Sequence, residues 1–139
     1  MKLTAHALLA ALATTALLAG GSAQALTAAD YQSVLIAAAK AAEPGFAGFS
    51  AERGAAFYRS THGGDWSCAS CHTEQPTQPG SHAVTHKQVK PLAPAANPER
   101  FTRADKIEKW FKRNCNDVLK RACTPREQGD FIAYLLSVK

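Results

Sequence analysis

Methionine is nearly missing from this chain: of 139 residues, only Met1 is one. Once an N-terminal leader is removed, no thioether remains to ligate a metal. Long apolar runs are scarce as well, and after Leu26 no segment stays apolar over the roughly 18 residues that a membrane-crossing helix needs. Alternating β-branched stretches are few and no internal repeat is present, which leaves an all-α fold as the expected class. Nor is there a clustered basic helix with interleaved aromatics, so nucleic-acid binding has little support.

The N-terminus shows what is there instead. Lys2 is followed by a mostly apolar Ala/Leu run from Ala7 to Leu18, and Ala23-Gln24-Ala25 supply small residues ahead of Leu26. That order is expected of a secretory signal peptide over residues 1–25. Thr14, Thr15, Gly20, Gly21 and Ser22 interrupt the run too often for a transmembrane anchor. Taking 25 from 139 leaves 114 residues, enough for one small domain with a single core. Losing Lys2 leaves 15 Lys and Arg against 11 Asp and Glu, a formal charge of +4. Such a mild excess reads as a solvated face, with a docking face for an acidic partner as the second reading. The four cysteines fall into two pairs, Cys68 with Cys71 and Cys115 with Cys123, and export permits a disulfide in any pair not otherwise used.

Thr27 and Asp30 cap an expected first helix that ends at Glu43-Pro44-Gly45, giving an N-terminal helical arm over residues 26–47. Ser50, Glu52 and Arg53 open a second helical segment, in which Ala51, Ala55, Phe57 and Tyr58 precede the Gly63-Gly64 break. From Trp66 to Pro98 the chain has no sustained period, and a loop of that length usually wraps something. Thr102 and Asp105 are expected to open a third helix with Ile107, Trp110, Phe111, Cys115 and Val118 on one face. Thr124-Pro125-Arg126-Glu127 then combines an N-cap, a first-turn proline and a capping Glu, ahead of Phe131, Tyr134, Leu135 and Val138.

Within the long loop, Cys68-Ala69-Ser70-Cys71-His72 is the C-x-x-C-H signature of c-type haem attachment. Each thiol adds to one haem vinyl group, and the adjacent histidine then reaches the iron. A thioredoxin-like motif would need a βαβ context, and a zinc site a second ligand pair; neither is present. Two haem propionates would bring the net charge nearer +2. With a helix before the motif and two after it, residues 48–139 resemble a class I cytochrome c of about four helices around one haem. Phe131-Ile132-Ala133-Tyr134-Leu135 resembles that family's C-terminal helix, which crosses the N-terminal one.

With no methionine in the mature chain, the usual Met/His iron is excluded, and Met ligation is what raises the potential and closes the site. His62, His82 and His86 are candidate sixth ligands, although each lies in a Gly-, Pro- or Thr-rich loop where a solvent-exposed histidine is the default. Asn114 is another candidate, because it lies at i+4 from Trp110, i+3 from Phe111 and i−4 from Val118, within the stripe expected to face the core. Its ordinary reading is a hydrogen bond to a neighbouring backbone group, or a place at the stripe's edge in water. Asn116, two residues on, points to a different helix face.

Four segments resemble the sphaeroides haem protein (SHP) family, oxygen-binding cytochromes c. They are Gly48-Phe49-Ser50-Ala51-Glu52-Arg53-Gly54, Cys68-Ala69-Ser70-Cys71-His72-Thr73, the run from Pro91 to Phe101, and Trp110-Phe111-Lys112-Arg113-Asn114-Cys115. The resemblance implies Asn114 as sixth ligand of the oxidised iron and a Cys115 to Cys123 disulfide beside the haem. It also implies a dihaem cytochrome c and a membrane cytochrome b as redox partners. An amide oxygen is a weak neutral donor that suits ferric iron better than ferrous iron. Reduction should therefore release it, opening the iron to O2, NO or CO, with the freed amide ready to donate a hydrogen bond. The expectation is an exported, periplasmic monohaem cytochrome that accepts electrons and binds a diatomic gas. The alternative is a bis-His electron carrier without gas binding. Oxidation of NO or reduction of a small oxyanion is a third reading, for which no acid/base set is present.

Overall fold

The computed structural model describes residues 26–139; the expected signal peptide lies outside them. Five helices and one minimal strand pair follow in order: α1 (Ala28–Ala42), α2 (Ala51–Arg59), α3 (Cys68–His72), β1 (Gly80–Ser81), β2 (Gln88–Val89), α4 (Ala104–Leu119) and α5 (Pro125–Ser137). The fold is all-α. Four helices are of ordinary length, and the fifth is the five-residue turn of the C-x-x-C-H motif itself. No helix among the described residues is long and apolar enough to cross a membrane.

Three helices start where their capping residues stand. Thr27 and Asp30 form a reciprocal capping box at α1, Ser50 accepts from the Arg53 N–H at α2, and Thr124 and Glu127 form a second box at α5, where Pro125 occupies the first turn. The start of α4 differs from expectation. Its N-cap is Arg103, which makes no side-chain cap. Thr102 instead donates its hydroxyl to the Glu99 carbonyl at 2.9 Å, and the Arg103 guanidinium turns onto Asp105.

The core lies where α1 and α2 pack against α5. Ala28, Tyr31, Leu35 and Ala39 line the buried face of α1, spaced three or four apart, and Tyr58 of α2 meets Phe131, Ile132, Tyr134 and Leu135 of α5. The 26–47 arm therefore belongs to this core. Gly54 sets the approach of α2 to α5: a Cβ there would run into the Asp130 carbonyl. Gly129 plays the same part for the Phe49 ring. Across this seam the buried Asp130 carboxylate accepts from Arg53 Nε (2.7 Å), Arg53 Nη2 (2.8 Å) and the Ser50 N–H (2.7 Å), so its charge is compensated where burial would otherwise be costly. Arg53 Nη2 also donates to the Gly48 carbonyl.

The segment read as one long loop has local order too short to give a sequence period. β1 and β2 pair antiparallel, Gly80 opposite Val89 and Ser81 opposite Gln88. The Leu92 and Ala93 N–H groups donate to the Pro76 carbonyl, tying the run after β2 to the turn that follows α3.

Candidate haem site

The C-x-x-C-H turn is built by its own neighbours. Ser67 caps α3 reciprocally with Ser70, so the chain enters the turn at a fixed angle. It leaves through Thr73, whose φ of 63° is rare for a residue with a branched side chain and marks stored backbone strain. Tyr58 holds that conformation: its hydroxyl, inside the core, donates to the Thr73 carbonyl at 2.6 Å. Burial, and then the neighbouring Tyr134, raise the Tyr58 pKa, so the phenol stays a donor. Gly80 of β1 seats against the motif from the other side, where a Cβ would meet the Cys71 carbonyl. Core, cap and hairpin thus fix the direction in which His72 points.

Cys68 and Cys71 are both free thiols, half-buried one turn apart on α3. Burial pushes the Cys68 thiol up to about 12, with Cys71 adding to the shift. A redox-active C-x-x-C needs the opposite, a depressed thiol pKa, so the electrostatics argue against a thioredoxin-like role. Cys71 Sγ accepts from the Ala83 N–H at 3.3 Å. His72 is pushed down to about 4, first by burial and then by the positive charge of Arg100, which leaves a neutral imidazole at pH 7. Its Nδ1 is buried without a hydrogen-bond partner. A neutral, oriented imidazole beside two unpaired thiols is the donor set that covalent haem requires, and these residues fit that group.

The α4 helix contributes a face that protein does not cover. With 3.6 residues per turn, Ile107, Trp110, Phe111, Asn114, Cys115 and Val118 share one side, and Asn114 falls near its middle. Burial splits that side unevenly. Ile107 and Cys115 are buried, Phe111 and Val118 are half-buried with Phe111 edge-on to Phe131 at 5.7 Å, and Trp110 (45% exposed) and Asn114 are exposed. The expected core-facing stripe is thus core-facing only along part of its width, because no helix of the domain packs over the rest. An apolar face bearing one free amide suits contact with a flat apolar macrocycle. Asn116 is exposed as well. Next to Asn114, Cys115 is joined to Cys123 in a disulfide with Cα atoms 5.6 Å apart, which pins the end of α4 to the start of α5.

The three other histidines among the described residues are occupied or exposed. His62 Nε2 lies 3.0 Å from the Phe57 carbonyl, which can only accept, so that nitrogen carries the ring proton. His82 Nδ1 accepts from the Val84 and Thr85 N–H groups at 3.2 and 3.1 Å, which places the proton of the neutral ring on Nε2. In both rings the usual ligating nitrogen is engaged or protonated. His86 is exposed at a positive φ of 55° in the β1–β2 connection. Composition and period give no sign of the supports at Tyr58, Thr73 and Gly80; only the Pro79-Gly80 turn signal marks the last of them.

A single C-x-x-C-H turn in a small all-α domain defines the class: a monohaem c-type cytochrome. Residues 44–135 match the family described as Domain of unknown function (DUF1924), and the chain belongs to that family. It is similar to cytochrome c'' of Methylophilus methylotrophus, 46% identical over 80 residues that cover 58% of this chain and 56% of the relative, little more than half its length. It is also similar to the cytochrome c-type protein SHP of Cereibacter sphaeroides, 46% identical over 89 residues, 61% of this chain and 68% of the relative. Among solved structures, oxidised cytochrome c'' superposes with a TM-score of 0.72 at 38% identity, covering 81% of this chain and 94% of that one. Oxidised SHP, described as an oxygen-binding cytochrome c, superposes with a TM-score of 0.71 at 40% identity, covering 80% and 96%. The cofactor of this chain is one covalently attached haem c.

Proposed function

We propose that this cytochrome is exported to the periplasm, accepts electrons from a partner cytochrome, and binds O2, NO or CO in its reduced state after Asn114 lets go of the iron. Cys68 and Cys71 form the two thioethers, His72 is the proximal ligand and Asn114 the distal ligand of the oxidised form. The haem, when bound, supplies a one-electron couple and an iron able to take a diatomic ligand. Everything else in this reading falls to the chain's own residues.

The observation that carries the reading is the Asn114 amide: exposed, without a hydrogen-bond partner among the described residues, and fixed in register by the disulfide at Cys115. A free amide costs little to engage with ferric iron and little to release. Once released, its N–H2 group can donate to a bound diatomic. The likeness to SHP, an oxygen-binding cytochrome c, and to a cytochrome c'' structure solved for its haem-ligand detachment supports a distal ligand that comes off. The commitments of His62 and His82 weigh against the bis-His alternative. Redox partners are expected to be a dihaem cytochrome c and a membrane cytochrome b, as in the family this chain resembles.

Optical spectra of the oxidised, reduced, and reduced plus CO forms test the proposal. The holoprotein should be high-spin when reduced and bind CO, and Asn114→Ala should alter the ferric spectrum while leaving the haem attached. A ferric spectrum untouched by Asn114→Ala, but converted to high spin by a change at His62, His82 or His86, would establish the bis-His carrier instead.

A further inference from the structure

The residue directly after His72 is held in a conformation it should avoid. Thr73 has φ 63° and ψ 169°, a region of backbone space essentially reserved for glycine and costly for a branched residue. Its own hydroxyl bonds Gln75, two residues on. The contact from another element comes from the end of α2, where two adjacent residues grip the two that follow the motif. Tyr58, fully buried, donates its hydroxyl to the Thr73 carbonyl at 2.6 Å, and Arg59 Nε meets Glu74 Oε2 at 3.0 Å. Both grips are anchored on α5. The Tyr58 ring lies 5.3 Å from the Tyr134 ring, and the Arg59 guanidinium stands 5.6 Å over the same ring. The exit from the C-x-x-C-H turn is thus tied to the helix-on-helix core.

His72 has little else to orient it. A metal-binding histidine almost always donates its second ring nitrogen to a carbonyl or carboxylate, which fixes the ring. His72 Nδ1 is buried with no such partner among the described residues. The direction of the imidazole therefore falls to the main chain on either side: the Ser67 and Ser70 cap before it, and the α2 grip after it.

We propose that the end of α2 is a clamp that keeps His72 on the iron while the ligand on the opposite side changes, with Tyr58 as its positioning residue and Arg59 as a weaker second grip. The inference rests on the reading of His72 as the proximal ligand. A protein that gives up one axial ligand must hold the other, and a histidine whose following residue can swing is the easier one to lose. Nitric oxide makes the severest demand, because on ferrous haem it weakens the bond to the ligand opposite and detaches a histidine that is free to move.

Electron paramagnetic resonance of the ferrous holoprotein with NO tests this, since five- and six-coordinate nitrosyl haem have distinct hyperfine patterns. Wild type should be mainly six-coordinate, with His72 retained. Tyr58→Phe keeps the ring and removes the hydroxyl, and should raise the ratio of five- to six-coordinate nitrosyl about fivefold, the factor that one net hydrogen bond supplies. Arg59→Ala should raise it by less, because that ion pair is about half exposed. Ile132→Val trims a fully buried side chain of α5 without touching the clamp; it should lower stability and leave the ratio alone. A wholly five-coordinate wild type overturns the proposal, as does an unchanged ratio in Tyr58→Phe or an Ile132→Val ratio that rises as far. Should Tyr58→Phe fail to fold, Arg59→Ala decides alone, and an unchanged ratio there overturns it. Failure of the ligand assignment is separable: a reduced wild type without an iron–histidine stretching band in its resonance Raman spectrum would sink that assignment. With the band present and the ratios unmoved, only the clamp falls.

Discussion

Where α2 meets α5, the backbones come so close that Gly54 has no room for a methyl group, whereas along α4 Trp110 is 45% exposed and the Asn114 side chain has no hydrogen-bond partner among the described residues. The first region is a helix-on-helix core with interlocked aromatics, Phe57, Tyr58, Phe111 and Tyr134 around Phe131 and one another at 5.3 to 6.3 Å, and a compensated buried carboxylate at Asp130. The second is held by a one-turn helix, a two-residue hairpin, backbone struts onto Pro76 and one disulfide. The first region completes its packing with protein alone, whereas the α4 face is the one that suits contact with the haem.

The largest effect should come from breaking the tight side. Gly54→Ala places a methyl group on the Asp130 carbonyl, and neither backbone can give way easily. A loss of about 3 kcal/mol or more is expected, a large fraction of what a domain this size possesses. Urea unfolding followed by far-UV dichroism would measure it. If Gly54→Ala unfolds at the wild-type urea concentration, the close approach of α2 and α5 is not what organises the core.

A smaller effect should follow on the loose side when the disulfide is removed. Cys115 and Cys123 are 8 residues apart, and closing so short a loop constrains the unfolded chain by about 2 kcal/mol in the chain-entropy account. The double change to alanine should lower the unfolding free energy by that amount, read from urea titration, and still yield protein carrying covalent haem, since the attachment residues lie elsewhere. Loss of haem attachment in that variant would mean that the two regions are not separable in the way their packing suggests.

How far each region was legible in the sequence follows the same division. On the tight side, capping residues and apolar spacing mark α1, α2 and α5 because those helices are long enough to repeat a pattern, and they pack against protein, which rewards the pattern. On the loose side a motif five residues long is unmistakable, yet its supports are not. Two-residue strands cannot show a period, and the left-handed residues at Thr73, Phe101 and Lys120 carry no glycine to announce them. The end of α4 at Lys120, φ 60°, is such a case. The Asn114 stripe is a subtler one: periodicity reveals which residues share a face but not what lies against it.

The smallest expected effect sits at the corner where the disulfide joins α4 to α5. Glu127 accepts from the Thr124 N–H at 2.8 Å and from both terminal nitrogens of Arg121 at 2.6 and 2.8 Å. The Arg121 fork, followed by the Thr124 contacts, holds the Glu127 carboxyl below its ordinary value of 4.5 against the opposing effect of burial. A carboxylate with a depressed pKa in the folded state stabilises most above its unfolded pKa, and that contribution fades as pH falls through the lower folded value. Because Arg121 is half exposed, water screens the pair, and Glu127→Gln should cost only about 0.5 to 1 kcal/mol at pH 7. Gln keeps one carbonyl for the Thr124 N–H, so what is lost is chiefly the charge. The gap between wild type and Glu127→Gln should accordingly narrow below pH 4.5, measured as urea midpoints on holoprotein across pH 3.5 to 7. A gap that stays constant through that range would assign the corner's stability to the disulfide and the cap geometry and leave the ion pair without a measurable share.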